Sequence, residues 1–156
     1  MRLMAKAPEL LVAQSVLDRL NTSDDWPVTR AQSIHFLRDS IKRNLEWLLN
    51  TRRPPVAGIE GYPLARQTVL YYGLLDLSSL SLSSSDDQRR LQQGITEMIE
   101  HSEPRLREVQ VRLEEGDLQR KRLRFHIGAH MQMKPLPEEI VFDTVLDLTT
   151  GEYRVD

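Results

Sequence analysis

Pro104 divides this chain into two periodicities. Upstream, apolar residues recur every three or four positions, the repeat of a helix with one buried face. Downstream, they recur every second position, the repeat of a strand with one buried face. Proline has no N–H to give to a helix and pushes the residue before it out of helical backbone. The helix that runs through Ile99 therefore ends at Glu103. Val109, Val111 and Leu113 then alternate with Gln110, Arg112 and Glu114. The sequence Glu103-Pro104-Arg105-Leu106 must lie at a helix-to-strand corner. A charged pair fixed there is either a local clasp or a contact offered to a partner.

The helical half contains two long amphipathic segments. Over residues 29–50, Ile34, Leu37, Ile41, Leu45 and Leu48 make one stripe, widened by Phe36, Trp47 and Leu49. Thr29 and Gln32 have the spacing of a capping box. Asp39 and Arg43 have the spacing of a helical ion pair. Over residues 85–102, Leu91, Ile95, Met98 and Ile99 make a second stripe. Ser85 and Gln88 fit another capping box, and Asp86 and Asp87 suit the positive end of the helix dipole. Residues 8–20 predict a shorter helix, with Leu10, Ala13, Val16, Leu17 and Leu20 on one side. The run N-T-S-D-D-W-P at 21–27 separates it from the rest, and Trp26 is expected to serve packing, with anchoring of the joint the alternative. This arm either packs on its own domain or docks on a partner.

Residues 52–85 predict no regular element. Gly58, Gly61 and Pro63 punctuate the first part, and G-x-x-G is too short for a phosphate loop. The run V-L-Y-Y-G-L-L-D-L at 69–77 is apolar enough to be pinned against a core. Serines crowd residues 78–85.

The second half reads as a meander. Leu123, Phe125, Ile127, Ala129 and Met131 face one way, as do Ile140, Phe142, Thr144, Leu146 and Leu148. Turns are expected at Glu115-Gly116-Asp117 and Thr150-Gly151, with a last strand through Tyr153-Arg154-Val155. Pro135 and Pro137 break the run between the middle strands. One apolar face needs a cover, and two helices are at hand. The fold class is α+β: helices on one face of a small antiparallel β-meander, with an N-terminal helical arm at 1–28 and the main domain at 29–156.

Composition removes several kinds of chemistry. The 156 residues include no cysteine, so disulfides, thiolate metal sites and thiol nucleophiles are excluded. Lys and Arg number 21 against 23 Asp and Glu, a net charge of −2 with no footprint for nucleic acid. No segment approaches ~18 consecutive apolar residues, and the N-terminus lacks the core of a signal peptide, so a cytoplasmic protein without direct membrane insertion is expected.

No catalytic constellation emerges. His126 and His130 are four apart on a strand, roughly 13 Å at ~3.3 Å per residue, too far for one metal ion. Asp143 and Asp147 are separated by the same arithmetic, beyond the roughly 5–9.5 Å that paired glycosidase carboxylates need. Glu103 has Arg105 beside it, the reverse of what a general acid wants. No G-x-S-x-G elbow is present. No cofactor and no metal are expected.

Four segments carry a family resemblance. They are S-I-K-R-N-L-E-W-L-L-N-T-R at 40–52, V-L-Y-Y-G-L-L-D-L at 69–77, E-P-R-L at 103–106, and F-D-T-V-L-D-L at 142–148 with Thr150-Gly151. Together, in this order, the chain resembles the baseplate wedge family of contractile injection machines, and within it the TssE subunits of type VI secretion. The second segment departs from the family's usual V-L-N-Y-G-L-P-D, with Tyr71 at the Asn position and Leu75 at the Pro position. The resemblance implies a structural protein of the cytoplasmic baseplate, at the cytoplasmic face of the inner membrane. It implies wedge partners TssF and TssG, TssK nearby, and sheath subunits met by strand addition, templating the first sheath ring. It implies partner binding at Glu103, Pro104, Arg105 and Leu106. The family has also carried a lysozyme-like label, so peptidoglycan hydrolysis is the alternative activity. The strand edges at 109–113 and 153–155 are both candidates for receiving a sheath strand.

Overall fold

A computed structural model describes residues 16–20, 27, 29–74, 84–114, 122–133 and 136–156. The element order is α1 (Val16–Leu20), α2 (Arg30–Asn50), three short 3-10 turns between Ile59 and Tyr71, α3 (Ser85–Ser102), and strands β1 (Leu106–Glu114), β2 (Arg122–Met131), β3 (Glu138–Asp147) and β4 (Glu152–Val155). The strands form one antiparallel sheet in the order β1-β2-β3-β4. This is the α+β meander that the alternating pattern requires. Residues 8–15, Trp26, the serines at 78–83 and the turn at 115–117 lie outside the described residues.

The core lies between one sheet face and the two long helices. From α2 it takes Leu37, Ile41, Leu45, Leu48 and Leu49, and from α3 Leu91, Ile95, Met98 and Ile99. The sheet supplies Leu123, Phe125, Ile127, Ala129 and Met131 from β2 and Ile140, Phe142 and Leu146 from β3. Helix α3 lies along β1, and α2 lies along β4. Full burial of such side chains contributes about 1.5–3 kcal/mol each, which makes this layer the main source of stability.

Local chemistry sets the helix ends. Thr29 and Gln32 form the expected reciprocal cap on α2. On α3 the cap is Ser84, whose hydroxyl accepts from the N–H of Asp87, one residue earlier than the expected Ser85. In a run of serines, the one at the boundary is set by where the helix phase brings Leu91 and Ile95 inward. Arg43 meets Asp18 rather than Asp39. Trp47 faces outward, 47% exposed, with the Arg43 guanidinium 5.7 Å from its ring centre, so it does not extend the apolar stripe.

The segment from Arg52 to Leu74 is irregular, as its glycines and prolines predict, but it is tied at both ends. Arg53 N–H donates to Leu74 O (2.7 Å) and Leu74 N–H donates to Thr51 O (2.9 Å). Gly73 permits this closure. Its φ is +99°, and a Cβ there would lie 2.6 Å from Thr51 O. Among the described residues of this run, Leu74 and Tyr72 are drawn toward the core, while Val69 is 82% exposed. Leu75, Asp76 and Leu77 lie outside the described residues.

Strand β1 starts at Leu106, ahead of the alternating run that opens at Val109, and it is irregular. Its register with β2 slips between Arg107 and Gln110, so two residues oppose one, and Glu108 adopts φ +54°. This β-bulge explains why Leu106 and Val109, three apart, are both buried.

Candidate functional site

The corner after α3 is built around a buried carboxylate. Glu103 caps the helix, its N–H donating to Ile99 O (2.8 Å), and Leu106 N–H returns to Glu103 O (3.0 Å). Pro104 takes the second position of this turn, where its fixed φ fits. The tight turn points Glu103 inward, and its side chain is only 4% exposed.

Arg105 grips that carboxylate with two prongs. Its Nε donates to Oε1 (2.6 Å) and its Nη2 to Oε2 (2.5 Å). Asn44 Nδ2 donates a further bond to Oε2 (3.2 Å). Bidentate guanidinium–carboxylate pairs are stronger and more directional than single ion pairs. The remaining nitrogen of Arg105, Nη1, donates to Ser40 Oγ (2.9 Å), and Ser40 donates in turn to Asp18 Oδ2 (2.9 Å). Asp18 also pairs with Arg43. The corner thus heads a chain of alternating charge that crosses α2 and reaches α1. Tyr72 lies near it; burial first, and the Glu103 charge second, push its hydroxyl above the ordinary tyrosine range.

Of the four corner residues, Glu103 and Leu106 are buried, Pro104 is exposed and Arg105 is half-buried. The sequence leaves this pair either a local clasp or a contact for a partner. Its geometry is that of a buried clasp, because the proline turn directs Glu103 toward α2. Ser40 and Asn44 escape notice in the sequence. Their position was nevertheless readable: Ser33, Leu37, Ser40, Ile41, Asn44 and Leu45 share one helical face, and polar residues there need partners.

The two free margins of the sheet differ. Backbone bonds alternate along an antiparallel strand. Asp156 N–H donates to Asp143 O (2.7 Å), so Arg154 and Glu152 also turn toward β3 while Tyr153 and Val155 turn outward. Three of their outward groups are taken by α2. Asn50 Nδ2 donates to Tyr153 O (2.8 Å), Tyr153 N–H donates to Asn50 Oδ1 (2.8 Å), and Val155 N–H donates to Glu46 Oε1 (3.2 Å). The Asn50 amide makes the two bonds that a residue of an added strand would make.

At the other margin, Gln132 N–H donates to Arg105 O (2.8 Å). Past the bulge, Gln110, Arg112 and Glu114 turn toward β2, and Val111 and Leu113 present their backbone outward. Among the described residues, no hydrogen bond reaches those outward groups. Helix α3 covers the face of β1 but not this line of donors and acceptors.

His126, on the uncovered sheet face, lies between two carboxylates rather than beside His130. Its Nε2 is 2.9 Å from Glu114 and its Nδ1 2.5 Å from Asp143. Bonds to Glu114 and Asp143 hold its pKa above the ordinary imidazole value. Asp147 accepts from the N–H groups of Thr149 (2.8 Å) and Thr150 (3.3 Å), which holds its carboxyl below the usual range. No group of three or more His, Asp or Glu side chains among the described residues is arranged to hold a metal ion.

Residues 35–136 fit the model of the baseplate wedge protein gp25 family. The chain belongs to that family. As a baseplate wedge protein it has a structural role in a baseplate. The match spans Ser40, Asn44, Glu103 and Arg105, and ends before β3. No curated protein matches the sequence. No described helix of this wedge protein is long and apolar enough to cross a membrane.

Proposed function

We propose that this wedge protein is the TssE-type subunit of a type VI secretion baseplate, placed at the cytoplasmic face of the inner membrane. It joins TssF and TssG, with TssK nearby, to the contractile sheath, and it starts the sheath by accepting a strand. One observation carries the strand-accepting step: the outward backbone of β1 at Val111 and Leu113 has no partner among the described residues, whereas that of β4 is occupied by Asn50 and Glu46. Strand addition requires such a line of unmet donors and acceptors. Of the two candidate margins, β1 is therefore the receiving one.

The wedge partners meet the protein around the corner. Pro104 and the outer part of Arg105 are the accessible portion, while Glu103 and Leu106 hold them in place from below. Hydrolysis of peptidoglycan gains no support from this geometry, since both oxygens of Glu103 are engaged by Arg105 and Asn44. Purified protein should release no sugar fragments from cell wall.

Val111→Pro tests the strand-accepting step. Proline removes an N–H that has no internal partner, and edge positions tolerate it. The variant should melt within a few degrees of the native chain and still co-purify with TssF and TssG, yet fail to retain sheath subunits. Undiminished sheath capture by the folded variant would exclude β1. Failure of the native chain to form a complex with TssF and TssG would exclude the TssE-type assignment.

A further inference from the structure

Asp18 occupies a niche that the domain builds without it. Ser40 and Arg43 stand nearly one turn apart on α2, and Arg105 stands behind Ser40. The polarity of this niche is defined by its bonds. Arg105 can only donate, so Ser40 Oγ accepts from it and gives its own hydrogen to Asp18. Arg43 adds a second donor with positive charge. An outward hydroxyl hydrogen beside a guanidinium calls for an anionic acceptor, and a carboxylate meets both requirements. Ser40, Arg43, Glu103 and Arg105 all fall inside the family-matched residues 35–136; Asp18 falls outside them.

The helix that brings Asp18 is held by charge rather than by burial. Val16, Leu17 and Leu20 are 71%, 55% and 79% exposed, while the Asp18 side chain is 6% exposed. Of the apolar side predicted for the arm, these three described residues face outward. Leu17 also walls a cleft of about 210 Å³ shared with Trp47, Leu48, Tyr72 and Glu103. Departure of α1 would uncover the niche and the cleft together.

We propose that the niche of Ser40, Arg43 and Arg105 is a carboxylate-receiving site for a wedge partner, and that α1 is its tethered occupant in the free subunit. An aspartate or glutamate of the partner replaces Asp18 on assembly, and the arm is released. The proposal rests on the TssE-type assignment above.

The test is titration of the full chain with the purified TssF–TssG pair, comparing native protein, Asp18→Ala and Arg43→Glu. An arm docked about nine-tenths of the time lowers apparent affinity by the remaining fraction, so Asp18→Ala should bind about tenfold more tightly. Arg43→Glu should bind at least tenfold more weakly than native while keeping a cooperative melt. Hydrogen exchange at 16–20 should be up to about tenfold slower in the free native chain than in Asp18→Ala and in the native complex. Equal or weaker binding by Asp18→Ala, with 16–20 still protected in the complex, would make α1 a permanent clasp and overturn the proposal. Absence of any complex with all three chains would refute the TssE-type assignment, and this site with it.

Discussion

Arg105→Ala should be among the most damaging single substitutions outside the apolar core. It leaves the Glu103 carboxylate, 4% exposed, with one side-chain donor from Asn44 and a long bond from the Arg105 N–H (3.4 Å). Breaking a buried ion pair by removing one partner costs about 3–5 kcal/mol, because the other charge stays buried. Arg105 is 19% exposed, so water can enter where its side chain stood, which favours the lower end. Loss of the bond to Ser40 adds roughly 0.5–1.5 kcal/mol. A total of roughly 3.5–4.5 kcal/mol corresponds to a fall in Tm of roughly 7–18 °C for a domain of this size. Urea unfolding followed by circular dichroism gives the free energy directly. Glu103→Leu combined with Arg105→Met removes both charges at similar volume and should cost less than Arg105→Ala alone. An Arg105→Ala chain melting within 2 °C of native would refute the buried-clasp reasoning. So would a double variant less stable than that single one.

Three further outcomes are expected. Gly73→Ala should lower stability by more than the roughly 1–3 kcal/mol of a left-handed backbone, since its Cβ would meet Thr51 O, and thermal melts would measure the loss. Asn50→Ala leaves the outward N–H and C=O of Tyr153 without partners and should cost about 1–3 kcal/mol, with concentration-dependent self-association visible by light scattering. His126 has a raised folded-state pKa, so its contribution is complete below its ordinary value of about 6.5 and is lost as pH rises through the raised value. Melting temperature should therefore fall across that interval in the native chain, and His126→Gln should flatten the slope.

Much of the fold was legible because periodicity survives packing. The inward residues of β2 and β3 alternate as read, and the buried stripe of α3 is the expected Leu91, Ile95, Met98 and Ile99. Boundaries were less legible. A serine run offers several equivalent caps, and a bulge inserts one residue whose presence only cross-strand register reveals. The corner's position followed from Pro104, but its burial did not. Burial depends on Ser40 and Asn44, some sixty residues away in sequence, and no local pattern links them to Arg105. The unequal margins were illegible for the same reason, since Asn50 reaches Tyr153 across 103 residues.

That inequality gives the subunit a polarity. A meander with two open margins would let the last strand of one copy lie against the first strand of the next, and such head-to-tail joining generates open-ended filaments. With Asn50 and Glu46 seated on β4, one terminus of this would-be polymer is stopped while the other stays available. Under the proposed strand-accepting role, this is the valence of a primer: the open margin begins a series of strand exchanges, and the closed one keeps copies of the subunit from joining head to tail.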